Sequence, residues 1–143
     1  MAAKGNTFIN DLLKLFFNAT AIANLADNAA SSPLTDLYLS LHTSSPGAGG
    51  NQTTNECAYT SYARVAVART SGGWTVSGQS VTPAATVAFP AATGGSETAT
   101  HAAVGTASSG TGKLLWYGAI SPTIAISNGV TPELTTSSAI TES

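Results

Sequence analysis

A mainly β fold, an antiparallel β-sandwich or barrel behind a short N-terminal helical arm, is predicted by three features of the sequence. Apolar residues alternate with a period of two from residue 34 onward. Turn residues separate about eight short stretches at regular spacing, and the first eighteen residues instead carry helical spacing.

The helical segment runs from Asn6 to about Asn18. Asn6 or Thr7 can cap it, because their side-chain oxygens accept from otherwise unpaired amides of the first turn. Phe8, Leu12, Leu15, Phe16 and Ala19 recur at three- and four-residue steps, and Ile9, Leu13 and Phe17 widen that stripe over most of the circumference. So wide an apolar face exceeds what one small core needs, which predicts burial against a partner as well as the chain's own domain. A second helical turn is expected over 22–29, ended by Ser31-Ser32-Pro33. The arm is therefore drawn as residues 1–30 and the β-domain as residues 31–143.

In the β-domain, Leu37, Leu39 and Leu41 alternate with Tyr38, Ser40 and His42, the pattern of a strand with one buried face. Residues 43–57 form a loop carrying Pro46-Gly47 and Gly49-Gly50, long for a compact domain and so a candidate for function or mobility. Strands follow over 64–69 and 74–76, joined by Ser71-Gly72-Gly73. Others are expected over 80–82, 86–89, 97–104, 113–119, 123–126 and 138–141, with turns at Pro90, Gly94-Gly95, Gly105, Gly110, Gly112, Pro122 and Asn128-Gly129. No internal repeat of fixed period is visible.

At 143 residues the chain suits a single core. Only 8% of it is charged, against roughly 25% in typical soluble domains. A surface so poor in charge fits a permanent assembly, whose interface cores are depleted of charge, or a Ser/Thr-rich secreted β-domain. The five basic residues Lys4, Lys14, Arg64, Arg69 and Lys113 are scattered and net charge is −2, which argues against a nucleic-acid partner. Cys57 is single, so no internal disulfide forms, in keeping with assembly in a reducing cytoplasm. The apolar run 12–17 contains Lys14 and is too short to span a bilayer, and no secretory signal pattern precedes it. No membrane partner is expected.

Catalytic constellations are thin. His42 and His101 are the two histidines, and among 17 serines and seven acids some Ser/His/Asp combination is guaranteed by chance. No Gly-x-Ser-x-Gly elbow or phosphate-cradling glycine motif occurs, and two histidines and one distant cysteine offer no metal-ligand spacing. Asp36, Glu56, Glu97 and Glu133 read as surface acids, Cys57 as a small buried residue, and Asn18-Ala-Thr20 and Asn51-Gln-Thr53 as chance sequon matches. Trp74, Trp116, Tyr59, Tyr62, Tyr117 and Phe89 suit a sandwich core better than a sugar-binding groove. The chain is expected to be no enzyme, with no catalytic residues, cofactor or metal.

Leu39-Ser-Leu-His-Thr-Ser-Ser-Pro-Gly47, Gly50-Asn-Gln-Thr-Thr-Asn-Glu56 and Tyr59-Thr-Ser-Tyr-Ala-Arg-Val-Ala-Val67 together resemble a family of small tailed-phage virion proteins often labelled tail-fibre proteins. Ser71-Gly-Gly-Trp-Thr-Val76 and Asn128-Gly-Val-Thr-Pro132 fit the same family. The chain is also similar to the capsid cementing proteins of Bordetella-type phages, jelly-roll domains that sit outside the capsid shell. This resemblance implies a jelly-roll-like sandwich that binds the major capsid protein lattice and stabilises it, associates with itself as a dimer or trimer, and resides on the capsid surface after synthesis in the host cytoplasm. Its alternative is a tail-fibre or baseplate-associated protein for host attachment, although no elongated repeat or coiled-coil heptad is present. The residues expected to touch partners are Phe8, Leu12, Phe16 and Phe17 of the arm, Pro46 and Asn51 of the long loop, and Arg64 and Arg69.

Overall fold

The computed structural model describes residues 4, 6–22 and 33–142. In chain order its elements are α1 (Asn6–Asn18), β1 (Asp36–His42), β2 (Val65–Ala68), β3 (Trp74–Ser77), β4 (Ser80–Pro83), β5 (Val87–Ala88), β6 (Glu97–Gly105), β7 (Leu114–Ile126), β8 (Glu133–Leu134) and β9 (Ile140–Thr141). The strands form a four-stranded sheet of order β2-β1-β6-β7, a three-stranded sheet β3-β4-β9 and a β5-β8 pair. The registers of β1–β6, β6–β7, β3–β4, β4–β9 and β5–β8 are all antiparallel. The protein is thus mainly β with one short N-terminal helix, an arrangement consistent with a β-sandwich.

The chain forms two compact units. The first combines Met1–Asp36, Val67–Thr86 and Thr135–Ser143, and the second combines Leu37–Ala66 and Val87–Leu134. In the first, α1 buries Ile9, Leu13 and Phe17, one residue per turn along a single stripe. The Phe17 ring meets the buried Trp74 edge-on, with centroids 4.7 Å apart and planes at 65°, a favoured geometry for aromatic quadrupoles. Hydrogen bonds seat the helix on the β3–β4 hairpin. Asn10 Nδ2 donates to the Gly78 carbonyl at 2.8 Å, and Gln79 Nε2 donates to Asn6 Oδ1 at 2.7 Å. Gly78 (φ +59°) supplies the left-handed residue that a two-residue hairpin turn requires. The helix has a packed place in the chain's own fold.

In the second unit the alternation of β1 has an unexpected outcome. Leu37, Leu39 and Leu41 are buried as the period implies, but Ser40 and His42 on the opposite face are fully buried as well. The polar face is covered because its groups find partners there, a condition that buried polar atoms must meet. Tyr59, Tyr62 and Phe89 cluster, with Tyr59 and Tyr62 edge-on at 5.3 Å and Tyr62 and Phe89 stacked at 6.4 Å. Tyr59, Phe89 and Trp74 are buried, as a core role for the aromatics requires, whereas Tyr117 is 41% exposed.

Two expected strands, 113–119 and 123–126, are one strand. β7 pairs with β6 up to His101↔Ala119 and again from Ala99↔Ile124, with residues 120–123 bulged outward around Pro122. Bulges commonly interrupt a ladder in this way without ending the strand. β8, two residues beside Pro132, has no periodic pattern to announce it. The helical turn expected over 22–29 lies, from residue 23 on, outside the described residues.

The two faces of α1 should respond differently to truncation. Phe17→Ala is expected to lower the unfolding free energy by about 3–5 kcal/mol, as for other buried Phe residues, and Phe16→Ala by about 1 kcal/mol or less. Chemical denaturation of both variants measures the difference.

Candidate partner-binding surface and its scaffold

One turn of helix separates residues four apart, so Phe8, Leu12 and Phe16 form a stripe one position N-terminal to the buried Ile9, Leu13 and Phe17. Phe8 is 40% and Phe16 38% exposed, with Leu12 half-buried between them. The Arg69 guanidinium fixes the end of this stripe. It donates to the carbonyls of Phe16 (Nε, 2.7 Å), Leu15 (Nη2, 2.9 Å) and Leu34 (Nη1, 2.7 Å). The first two belong to the last helical turn, where carbonyls lack intrahelical partners and a cation is favoured by the dipole. The third brings Leu34, 44% exposed, to the Phe16 end of the stripe. Phe8, Leu12 and Phe16 thus make an apolar stripe whose end is tied through Arg69 to the backbone of the exposed Leu34.

The second unit holds a polar scaffold. Arg64 Nε donates to Glu56 Oε1 at 2.6 Å and Nη2 to Glu56 Oε2 at 2.7 Å, a bidentate pair in which the Arg64 side chain is only 3% exposed. Arg64 Nη1 and Nη2 also reach the carbonyls of Ala107 and Gly110, at 2.9 and 2.7 Å. Tyr62 Oη donates to Glu56 Oε1 and accepts from the Leu41 amide. Burial, foremost, and the Glu56 carboxylate push the Tyr62 hydroxyl well above its usual range, so it stays a donor.

The buried Gln52 side chain joins the same two loops. Its amide donates to the Ala107 carbonyl and accepts from the Ala107 amide, while its backbone N–H donates to Thr111. A Cβ at either Gly105 or Gly112 would overlap the Gln52 side chain, which is why both positions are glycine.

Residues 43–57 are therefore a bonded structure in place of a mobile loop. Asn51 Oδ1 accepts from the Thr53 amide and hydroxyl, Thr54 Oγ1 accepts from the Asn51 amide, and Asn55 Nδ2 donates to the Ser45 carbonyl. The loop also satisfies the polar face of β1. His42 Nδ1 lies 2.9 Å from the Thr54 carbonyl and Nε2 lies 2.9 Å from Ser40 Oγ. A carbonyl can only accept, so Nδ1 carries the proton and Ser40 donates to Nε2. Burial lowers the His42 pKa below 6.5, and the Thr54 bond and Glu56 oppose that only in part. This Ser–His pair is fully buried and has a structural role. Cys57 is buried with its thiol pushed up to about 12, chiefly by desolvation and then by the Glu97 carboxylate, which leaves it unreactive at neutral pH.

Five of the eight residues expected at partners are placed elsewhere or otherwise engaged. Phe17 is core against Trp74, and Pro46 is buried. Arg64 is held by Glu56, and the Arg69 guanidinium by three carbonyls, because the sparse cations are needed inside the fold. Asn51 is half-buried and folds its side chain back on its own loop. Phe8, Leu12 and Phe16 stay together on the surface. Of the scaffold residues, Gln52 is passed over by the sequence reasoning, Glu56 reads there as a surface acid but is 14% exposed and paired with Arg64, and Tyr62 is expected in the core but not as a donor to Glu56. The one available signal is two opposite charges eight residues apart in a chain with five basic and seven acidic residues.

Among the described residues no three His, Cys, Asp or Glu side chains are grouped to share a metal ion, and no helix is long and apolar enough to cross a membrane.

Removing one partner of a buried pair strands the other charge, so Arg64→Ala is expected to cost about 3–5 kcal/mol of stability, measured by denaturant unfolding. His42 ties stability to pH with a definite sign. Its folded pKa lies below its unfolded one, so the unfolded chain takes up the proton first, and stability falls as pH drops below 6.5. The slope from this group is at most about 1.4 kcal/mol per pH unit. Melting curves across that range should be flatter for His42→Asn than for the wild type.

None of the curated proteins matches the sequence. The family model of the podophage GP4 fiber I protein gp80 matches residues 6–141, nearly the whole chain. The chain belongs to this family, a family of bacteriophage virion structural proteins.

Proposed function

We propose that this virion protein works by docking, without catalysis, as a capsid decoration protein that binds the outside of the major-capsid lattice and stabilises it. The observation that carries the reading is the apolar surface of Phe8, Leu12 and Phe16, on a helix whose adjacent stripe is core, with the exposed Leu34 tied to its end. Exposed apolar surface grouped in one place is characteristic of an interface. The low charge of the chain and the internal use of Arg64 and Arg69 leave little electrostatic steering, which suits assembly onto a high local density of sites better than capture of a dilute ligand. The partners are the major capsid protein and further copies of the chain, as a dimer or trimer, with no nucleic acid or membrane. Individually weak contacts repeated over a symmetric shell add through avidity.

A second reading has its own support. The matched family is described as a fiber I protein, which favours a tail-fibre or baseplate-associated protein acting in host attachment.

Purified protein mixed with empty capsids, and separately with host cells, discriminates the two. The decoration reading expects co-sedimentation with capsids and greater heat resistance of the decorated particles. Binding to cells alone would favour the fibre. For Phe8→Asp combined with Phe16→Asp we expect capsid affinity to fall about tenfold or more, the equivalent of about 1.4 kcal/mol or more of lost apolar burial. The melting temperature of that variant should stay close to that of the wild type.

A further inference from the structure

Among the turn signals of the sequence, Asn128-Gly129 is the single Asn-Gly pair. Such a pair has chemistry of its own. The side-chain amide of an asparagine can be attacked by the backbone nitrogen of the next residue, and glycine has no side chain to hinder the approach. Residues 127–130 form a closed turn, in which the Val130 amide donates to the Ser127 carbonyl at 2.9 Å. Gly129 has φ +89°, and Asn128 is not among the residues with positive φ. That combination defines a type II turn with glycine at its third position. Asn128 and Gly129 are both exposed to solvent.

The attacking nitrogen is nevertheless engaged. The Gly129 N–H donates to the Ala92 carbonyl at 2.7 Å. Two more bonds hold the same segments together, from the Ala92 N–H to the Val130 carbonyl at 2.8 Å and from the Phe89 N–H to the Pro132 carbonyl at 2.9 Å. Phe89 and Ala92 are buried, so the acceptor belongs to the packed side of this contact. The turn adds a second block. In type II geometry ψ of the second residue is about +120°, which swings the following nitrogen away from that residue's Cβ. A five-membered imide needs the two on the same side of the Cα–C bond.

We propose that Asn128 is a latent deamidation site, closed by the Ala92 carbonyl and opened when residues 127–132 separate from 89–92. On opening, the Gly129 nitrogen gives its proton to a solvent base and attacks Asn128 Cγ. A C–N bond forms there, and the side-chain nitrogen takes up a proton and leaves as ammonia. Water then opens the imide at either carbonyl to give aspartate or isoaspartate, with nothing oxidised or reduced. Either product adds one negative charge to a chain whose net charge is −2. Isoaspartate also places an extra carbon in the backbone, so the turn no longer presents the Gly129 N–H to Ala92 in the same register. An opening that lasts long enough to react is thereby made permanent.

The full chain held at mildly alkaline pH, native in one sample and unfolded in guanidinium chloride in another, tests this by peptide mapping of aspartate and isoaspartate at position 128. Asn128 in the native chain is expected to react about tenfold or more slowly than in the unfolded one, because local opening limits it. Amide hydrogen exchange distinguishes this hydrogen bond from folding in general. The same N–H must be released for exchange and for attack, so sub-denaturing guanidinium should speed Gly129 exchange and Asn128 deamidation together. In Asn128→Gln the corresponding imide is six-membered and forms far more slowly, so the modification should disappear. Equal rates in the native and unfolded chain would overturn the proposal. So would a Gly129 amide that exchanges freely in the native protein, two rates that respond differently to denaturant, or a modification that persists in Asn128→Gln.

Discussion

The ion pair between Arg64 and Glu56 is the contact on which the second unit is organised. Glu56 ends the long loop that covers the polar face of β1, and Arg64 precedes β2. The other donors of that guanidinium reach Ala107 and Gly110, in the turn between β6 and β7. Two loops and a strand entry thus share one cation. A charge so deeply buried is tolerable because both carboxylate oxygens and two carbonyls compensate its lost hydration. With the loops fixed, Gln52 can be wholly buried, and β1 can carry Ser40 and His42 under a polar roof.

Arg69 plays the corresponding part in the first unit. The carbonyls at the end of α1 are unsatisfied by the helix itself, and the planar fork of one arginine gathers them with that of Leu34. This has a consequence for the surface. With both arginines committed to structure, neither guanidinium is offered to the surface, and the apolar side chains that α1 leaves outside the core are Phe8, Leu12 and Phe16. The helix thus carries two apolar stripes one residue out of phase, one buried as core and one largely outside it. Rotating it by a single position would exchange core and surface.

Much of the fold is legible from spacing. β1, β2, β3, β4 and β6 lie where alternation and turn residues put them, because a period of two and a glycine-rich turn are local properties of the chain. β7 reads as two strands because Pro122 interrupts the pattern, and local sequence cannot reveal that the same neighbour resumes pairing beyond a bulge. The candidate site is less legible. Val67 and Arg69 share a strand face by period, but nothing local distinguishes a guanidinium bathed in solvent from one bound to three carbonyls.

The sequence by itself determined the class of the protein. Scarce charge, period-two alternation broken by turn residues, helical spacing at the start and the recognisable block from Leu39 to Val67 suffice for a mainly β virion protein, because each is a property of neighbouring residues. Tertiary structure alone decided which of two adjacent apolar stripes on α1 is core. It also decided that both faces of β1 are buried, that Arg64 and Arg69 turn inward, and that β7 runs as one strand past Pro122. Those outcomes depend on groups far apart in the chain competing for the same few partners, and a buried polar or charged group takes whichever arrangement leaves it satisfied.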